Sequence, residues 1–597
     1  MSPRRREVAR ARRLGLALGV APALALAVLG LAVRLASLRT PQPELPRVVV
    51  GGLEREEGCL TCHAATQGLG PAHVALGCSP CHEGDPAARD EEPAHRGMVL
   101  LVGDLASVGR SCGTAACHPI ETARVQTSLM AGAPGILAVD RFAFGERATP
   151  DGDAQDRLDA LDAGAPPGSR AESHARQLCA TCHLAAHKER RGDLGLEGRG
   201  GGCTACHLAA PFAGRRDTGG PLHPDVSADV PEKRCLGCHG RSGRIALSYH
   251  GVVELEPDDP RVTGALPDGR PIGSAPADVH AASGMRCIDC HTERELMGDG
   301  TPHRHAHETL EIACGDCHLA PPAEPPTPDA DRAAVAERLR AAWLRRALPP
   351  LSDTPLVTKK GTPLVRTDAR ARTLRLAADG RELALPPARS EPYHALPGHE
   401  RLGCQACHST WAPRCTSCHT SFDPEGDAVD HLSGATVRGR WLERAGGNGY
   451  GPPLLAVGPR GGIEPFVEGM QLVIEDGASP RIERTLYAPL EPHTTGKARA
   501  CASCHPPAPV AGAPGAADAA LDAVYPPRGE TTRTEARLLD ATERARIAAV
   551  GRCLACHAGY DDAVYRDFAA SRARLARART GDAGADPAAA RCRGAPD

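Results

Sequence analysis

The chain has 597 residues and a formal net charge of −3, and no stripe of basic residues runs along it, which argues against nucleic-acid binding. Six Phe, three Trp and seven Tyr accompany 65 Gly and 54 Pro, so large side chains are too few to fill a conventional core of this size. Without another source of packing, such a composition is typical of disordered chains.

The N-terminal 40 residues have the pattern of a membrane anchor. Arginines at positions 4, 5, 6, 10, 12 and 13 precede an uncharged apolar run of 20 residues, Leu14 to Val33. This length is enough for a helix that spans a bilayer, and the arginines favour a cytoplasmic N-terminus. We therefore expect one transmembrane helix in residues 1–40, in the inner membrane, with the rest of the chain in the periplasm. The alternative is a long signal peptide cleaved near Ala36, which would leave a soluble protein.

Twelve motifs in which a histidine directly follows a second cysteine occupy the chain beyond the anchor. Eleven have C-x-x-C-H spacing, the attachment signature of c-type haem, and one has four residues between its cysteines. In such a site two thiols bond to the vinyl groups of one porphyrin, and the histidine becomes an axial iron ligand. We therefore predict twelve covalently attached haem c groups. The motifs are Cys59, Cys62 and His63; Cys78, Cys81 and His82; Cys112, Cys117 and His118; Cys179, Cys182 and His183; Cys203, Cys206 and His207; Cys235, Cys238 and His239; Cys287, Cys290 and His291; Cys314, Cys317 and His318; Cys404, Cys407 and His408; Cys415, Cys418 and His419; Cys501, Cys504 and His505; and Cys553, Cys556 and His557.

Two other interpretations of the cysteine pairs explain less. A structural zinc site needs four ligands, usually from two cysteine pairs, and gives no reason for a histidine after every second cysteine. A disulfide scaffold does not explain that histidine either, and it is typical of much shorter chains. The motifs use 24 of the 25 cysteines and leave only Cys592.

The motifs are clustered along the chain, which predicts its organisation. Beyond the anchor we expect an eight-haem domain (41–320), a linker or insert (321–400), a four-haem domain (401–560) with its own insert (420–500), and a C-terminal helix with a disordered tail (561–597). The fold class we predict is mostly irregular, with short α-helices wrapped around stacked c-type haems and small β-hairpins in the two inserts. The haems then supply the interior that the composition lacks.

The longer sequence patterns of helices and strands occur in the two inserts and near the C-terminus. The first insert opens with a Pro-rich linker, Pro321 to Pro328, which precedes a predicted helix at 331–348. Alternating residues on both sides of Asp379-Gly380 predict a hairpin. In the second insert, strand-like runs occur at 471–474 and 482–487. Helical patterns at 542–550 and 562–578 close the chain.

Fourteen histidines lie outside the motifs, enough to give every iron a second imidazole. Several come shortly before the first cysteine of a motif, where they could reach the iron of a neighbouring haem. His303, His305 and His307 are too close together for all three to be ligands. The predicted second ligands are His73, His95, His174, His187, His223, His250, His280, His307, His394, His399, His431 and His493.

Methionine is the competing axial ligand, and it raises the reduction potential. Met130 follows the Cys112 motif, and no histidine outside a motif occurs between His118 and His174. Met130 could therefore bind that iron, or it could pack against the porphyrin face. Bis-histidine ligation predicts low-spin, low-potential haems without an open position.

With these motifs, and with the stretches around them at 234–244 and 284–291, the chain resembles the bis-histidine multihaem c-type cytochromes of anaerobic and metal-respiring bacteria. That broad group includes the cytochrome c3-like, c554-like and octahaem families. The resemblance implies electron transfer between quinol oxidoreductases, periplasmic partners and extracellular acceptors. Some octahaem relatives act on small nitrogen or sulfur compounds at an open haem. Pentahaem nitrite reductases mark such a haem with a lysine in place of the motif histidine, and no motif here ends in lysine.

Two functions follow as expectations. The first is an anchored electron-transfer protein, not an enzyme, that relays electrons from a membrane quinol oxidoreductase to other periplasmic or outer-membrane cytochromes. The second is a multihaem reductase of a small oxyanion or nitrogen compound. Its open haem would be the one at Cys112, Cys117 and His118, with His174, His187 and Arg124 for proton delivery and anion binding.

Overall fold

A computed structural model describes residues 25–34, 44–50, 53–64, 66, 69–70, 73–152, 156–187, 199–209, 223–240, 245–319, 355–388, 392–467, 470–507, 516–554, 557, 559 and 562–579. The predicted linker and helix of the first insert, the C-terminal tail with Cys592, and Cys556 lie outside these residues. Of the predicted span, residues 25–33 are described, in a helical segment that covers 25–34 and exposes Leu26 and Leu29. No helix in the described ranges is long and apolar enough to cross a membrane.

Most helices are one or two turns long, which reflects the many glycine and proline residues. Isolated helices of this length are unstable in water, so packing must hold them. The α-helices are α1 Cys59–Cys62, α2 Ser79–His82, α3 Glu91–His95, α4 Pro119–Thr127, α5 Leu129–Gly132, α6 Pro134–Ala143, α7 Arg170–His174, α8 Cys203–His207, α9 Glu232–His239, α10 Ile245–Tyr249, α11 Val279–Ala282, α12 Cys287–Cys290, α13 Glu293–Leu296, α14 Ala306–Thr309, α15 Cys314–His318, α16 Cys404–His408, α17 Cys501–Cys504, α18 Ala516–Asp522, α19 Ala541–Leu554, α20 Ala563–Arg566 and α21 Phe568–Arg579. The helical pattern at 542–550 corresponds to α19, and the pattern at 562–578 corresponds to α20 and α21, which are separate helices.

The strands are short in the first half of the chain and longer in the second. They are β1 Arg47–Val50, β2 Leu53–Glu56, β3 Leu208–Ala209, β4 Asp225–Val226, β5 Val252–Glu254, β6 Gly264–Ala265, β7 Pro271–Ser274, β8 Leu356–Val357, β9 Pro363–Leu364, β10 Thr367–Asp368, β11 Thr373–Arg375, β12 Glu382–Ala384, β13 Ala412–Arg414, β14 Ser417–Val429, β15 Thr436–Gly446, β16 Gly449–Gly451, β17 Leu454–Val457, β18 Ile463–Phe466, β19 Met470–Glu475, β20 Ile482–Tyr487 and β21 Glu530–Thr531. At the place of the hairpin predicted around Asp379-Gly380, β11 and β12 pair antiparallel.

The second insert contains more sheet than its two strand-like runs predict. Those runs are β19 and β20, within a five-stranded sheet of order β15-β14-β19-β20-β21. Strand β14 pairs antiparallel with β15 and parallel with β19. Glycines and charged residues obscure the alternation of β14 and β15 in the sequence. One of them, Gly439, has φ +90°, and a Cβ atom there would lie 2.4 Å from the Phe422 ring.

The buried apolar residues form several separate clusters. One packs Leu455, Phe466 and Tyr525 together, and another packs Phe144, Trp441 and other residues against the five-stranded sheet. Motif cysteines pack at the edges of some clusters, as Cys112 does. Within the described residues, the buried apolar side chains thus form several small clusters.

The segments predicted as an eight-haem and a four-haem domain are in direct contact. Arg176, in the first segment, is 1% exposed, and its guanidinium donates to Glu172 Oε1 in the same segment at 2.7 Å. The same guanidinium donates to Asp430 Oδ2 in the second segment at 3.1 Å. The Thr495 N–H donates to Asp278 Oδ2 at 2.6 Å. The two motif clusters of the sequence therefore pack against each other through buried polar contacts.

Candidate functional site

Most motifs fold as a single helical turn that brings their three functional residues to one side. Residues three and four apart lie on the same face of a helix, so both thiols and the histidine of C-x-x-C-H face together. The turn is closed by a hydrogen bond from the histidine N–H to the carbonyl of the first cysteine, as between His63 and Cys59 at 2.9 Å and between His505 and Cys501 at 2.8 Å. The wider motif closes the same bond, from His118 to Cys112, at 2.9 Å. Its two extra residues are accommodated in a wider turn that is not helical.

Among the residues that the structure describes, six motif histidines lie opposite a histidine from outside the motifs. A metal–imidazole bond is about 2 Å long, so two rings on opposite sides of one iron have centres roughly 6 Å apart. The six observed separations run from 6.0 to 6.4 Å. The pairs are His63–His95 at 6.2 Å, His82–His223 at 6.0 Å, His318–His280 at 6.1 Å, His291–His493 at 6.0 Å, His408–His394 at 6.4 Å and His505–His399 at 6.0 Å.

The pairing connects different parts of the chain. His280 precedes the Cys287 motif but faces His318, and His399 precedes the Cys404 motif but faces His505. His493, which precedes the Cys501 motif, faces His291. Each of these three histidines thus precedes one motif in the sequence and lies close to the histidine of another motif.

Hydrogen bonds at Nδ1 orient many of the rings. The Nδ1 atoms of His82, His183 and His318 lie 2.8, 2.9 and 2.8 Å from the carbonyls of Val99, Ala131 and Pro386. The same bond forms at His207, His408 and His505. His291 and His557 contact carboxylates instead, of Glu295 at 2.6 Å and Asp562 at 2.8 Å. Metal-bound histidines show this arrangement, because a partner at one nitrogen presents the other nitrogen to the metal.

One buried ring nitrogen has no hydrogen-bond partner, and a metal ion bound to it would take the place of that partner. His183 is 3% exposed, and its Nε2 atom has no hydrogen-bond partner among the described residues, while its Nδ1 is held by Ala131. A buried polar atom without a partner is costly. The donor set at His183 therefore fits an iron ligand.

Four of the other predicted ligands differ from these six pairs in their surroundings. His73 is near His118, which adds to the effect of burial in lowering the pKa of His73. His307 stacks on His305 at 5.9 Å, and neither residue is in a motif. His250 Nε2 is 3.6 Å from Glu232, and the pKa of His431 is lowered by burial. These four do not form a ring contact with a motif histidine in the described structure.

The tenth motif does not fit the common geometry. Cys418 and His419 lie in β14, which is paired on both sides, and adjacent residues of a strand point to opposite faces. Cys418 is 7% exposed in the cluster of Phe144 and Trp441, whereas His419 is exposed, with Nε2 3.0 Å from Glu475. To bring Cys415, Cys418 and His419 to one porphyrin, this segment would have to leave the sheet. The prediction of a haem at these three residues is therefore not matched by their geometry.

The residues suggested for a reductase site each contact different carboxylates. Arg124 donates to Gly298 O at 2.5 Å and to Glu293 at 2.8 Å. His187 Nδ1 is 2.8 Å from Asp104, and His174 Nδ1 is 2.9 Å from Asp140, with Glu443 3.4 Å from its Nε2. Burial lowers the pKa of His174, but the two carboxylates outweigh it and raise that pKa to about 10. Met130 packs in the apolar cluster that contains Cys112 and Cys203.

Cysteines of different motifs lie close together, a feature that the sequence did not predict. In four pairs a thiol–thiol hydrogen bond is the largest cause of a raised pKa in one partner. The pairs are Cys112–Cys203, Cys182–Cys238, Cys235–Cys287 and Cys314–Cys404. The two motifs of each pair thus lie side by side. The spacing of the motifs along the chain does not predict which motifs are neighbours.

Within the described residues, no group of three or more His, Cys, Asp or Glu side chains is arranged to hold a metal ion. Comparison of the chain with family models, curated proteins and solved structures found no match.

Proposed function

We propose that this chain is a membrane-anchored, periplasmic multihaem c-type cytochrome that relays electrons from a quinol-linked donor to periplasmic or extracellular acceptors. The observation that carries the proposal is the set of six pairs of a motif and a non-motif histidine, with ring centres 6.0 to 6.4 Å apart. This separation suits one iron between two imidazoles. Neither a zinc site nor a disulfide scaffold gives a reason for such pairs next to cysteine motifs.

The chain's own residues perform three tasks in this proposal. Bound haem supplies a one-electron iron couple. The two thiols of a motif would hold the macrocycle covalently, and the two histidines of a pair would be the ligands of its iron. Hydrogen bonds such as that between His82 Nδ1 and Val99 O hold the rings in orientation. Because two histidines would bind one iron, this ligand set would favour electron transfer over chemistry on a bound substrate.

The reductase alternative depends on an open haem at Cys112, Cys117 and His118. His174, His187 and Arg124 each contact different carboxylates, which does not support one shared proton-delivery or anion site. The geometry therefore favours electron transfer at this motif as well.

The anchor and the partners belong to the same proposal. The apolar run Leu14–Val33 and the arginines before it support a single-pass position in the inner membrane, with the haem domain in the periplasm. A membrane quinol oxidoreductase would be the donor, and other periplasmic or outer-membrane cytochromes would be the acceptors. Full-length protein should stay with the membranes after an alkaline wash. Quantitative release, with the mature N-terminus near Ala36, would show cleavage instead.

Removal of one facing histidine tests the ligand assignment. The His399→Ala variant should convert one haem, that of His505, to a high-spin form that binds carbon monoxide when reduced. The matched control is His303→Ala, because His303 contacts Asp299 at 3.2 Å and no motif histidine. Electron paramagnetic resonance and carbon monoxide difference spectra measure both effects. A His399→Ala protein that stays wholly low-spin would contradict the proposal.

A further inference from the structure

Helices α20 and α21 are joined to the twelfth motif through its histidine. His557 Nδ1 lies 2.8 Å from Asp562 Oδ2, and the Tyr565 hydroxyl donates to His557 O at 2.6 Å. The Tyr565 ring is buried and stacks on the ring of Phe568, the first residue of α21, with 6.2 Å between the ring centres. These contacts fix the start of α21 beside the Cys553 motif.

The Cys553 motif is also close to the eleventh motif. Helix α19, which ends in the Cys553 motif, packs on the turn of the eleventh motif, where His505 Nδ1 lies 3.1 Å from Ile547 O. A Cβ atom at Gly551 would overlap the carbonyl of Pro506, so the glycine allows this close approach. A haem at the Cys553 motif would therefore have a haem of the same chain as a neighbour.

Helix α21 is basic along its whole length. It contains four arginines and no acidic residue. Residues 562–579, which form α20 and α21, contain five arginines and two aspartates, so their formal charge is +3. Within the described residues, Arg566 and Arg572 form no ion pair. The exposed arginines of the two helices are Arg566, Arg572, Arg574 and Arg577.

This positive surface differs from the molecule as a whole. The chain has a formal charge of −3, and each bound haem would add two propionate groups. A cluster of one sign on a molecule of the other sign attracts partners of opposite charge and orients them as they approach. The surface of α20 and α21 therefore suits an acidic partner that docks beside the Cys553 motif.

The composition of α21 favours a protein partner over a lipid surface. A helix that lies on a membrane needs an exposed apolar face. The large apolar side chains of α21 are Phe568 and Leu575, and both are partly buried. The exposed part of the helix thus offers charge without an apolar face.

We propose that the exposed arginines of α20 and α21 form a docking surface for an acidic electron-transfer protein, which exchanges electrons with the haem of the Cys553 site. This inference rests on the proposed function and identifies the chemical nature of one partner. In the exchange, one electron passes between the partner's redox centre and the haem iron, so that one is oxidised as the other is reduced. No covalent bond forms or breaks.

Stopped-flow reduction of the haem-loaded, full-length protein in detergent tests this surface. The probe is reduced flavodoxin, an acidic protein that donates single electrons. Arg572→Glu combined with Arg574→Glu and Arg577→Glu should lower the second-order rate constant about tenfold at low ionic strength, because the attraction becomes a repulsion. The salt dependence of the rate should weaken as well. An unchanged rate constant would overturn the proposal.

A matched control separates this surface from the net charge of the protein. It has the same change in charge at three arginines of other segments, whose side chains are 51% to 60% exposed. This control should lower the rate constant by less than about twofold. Equal decreases in both proteins would overturn the proposal. The control substitutions are Arg261→Glu, Arg438→Glu and Arg481→Glu.

Two further measurements distinguish the other outcomes. Glutamine at positions 572, 574 and 577 should give an intermediate rate constant, and this neutral variant decides the test if charge reversal lowers the haem content. In phosphatidylglycerol vesicles the difference between the wild-type and variant rates should persist. Its loss there would assign α21 to the lipid surface and overturn the docking proposal. A purified protein without haem would instead overturn the proposed function.

Discussion

The motif histidines differ in what their Nδ1 atoms contact, and this difference is expected to tune the irons. His291 contacts the Glu295 carboxylate at 2.6 Å, whereas His82 contacts the carbonyl of Val99. A carboxylate partner makes the imidazole a stronger donor and stabilises the oxidised iron. The haem of His291 should therefore have one of the lower reduction potentials in the molecule.

Replacement of the carboxylate tests this effect. Glu295→Gln should raise the reduction potential of one haem by roughly tens of millivolts, because the neutral amide donates less charge to the imidazole. The control is Glu293→Gln, two residues away, whose carboxylate contacts Arg124 at 2.8 Å. Redox titration followed by visible spectroscopy gives both values. A larger shift in the Glu293 variant would contradict the assignment.

At the residue scale, the sequence predicts the components of the site but not their partners. The spacing of cysteine and histidine identifies each motif, and the surplus of histidine predicts a second set of ligands. The partners come from other chain segments. His223 lies opposite His82, and the carbonyl of Ser227 contacts His207. Such contacts are set by tertiary packing and leave no local pattern.

At the element scale, the same sequence pattern occurs in two conformations. Most motifs form a helical turn, but the tenth lies in β14, where pairing with β15 and β19 holds the segment extended. The local sequence of Cys415 to His419 resembles that of the other motifs. Sheet formation by the residues around it decides the outcome, so spacing alone could not predict this departure.

A buried ion pair should hold the two motif clusters together. Arg176→Met would leave Glu172 and Asp430 buried without their partner, which should lower the free energy of unfolding by about 3–5 kcal/mol. The control is Arg438→Met on β15, whose pair with Glu425 is exposed and should matter by less than about 1 kcal/mol. Denaturant titration of the haem-loaded proteins measures the difference. Equal effects from both variants would show that the contact between the clusters does not depend on Arg176.

At the scale of the whole molecule, haem is expected to be required for folding. The helices are mostly one turn long, and the apolar clusters are small and separate. A variant with alanine at all motif cysteines should therefore lose most of its helical circular dichroism, because short helices need packing to persist. Native-like helix in that haem-free variant would contradict this expectation.

The central claim is that haem groups fill the interior of this molecule and carry its electrons. One measurement can test this claim. A pyridine haemochrome assay on purified protein of known concentration should find at least eleven haems per chain, one for each motif other than that at Cys415. A count far below this number, or a metal analysis dominated by zinc, would contradict the account.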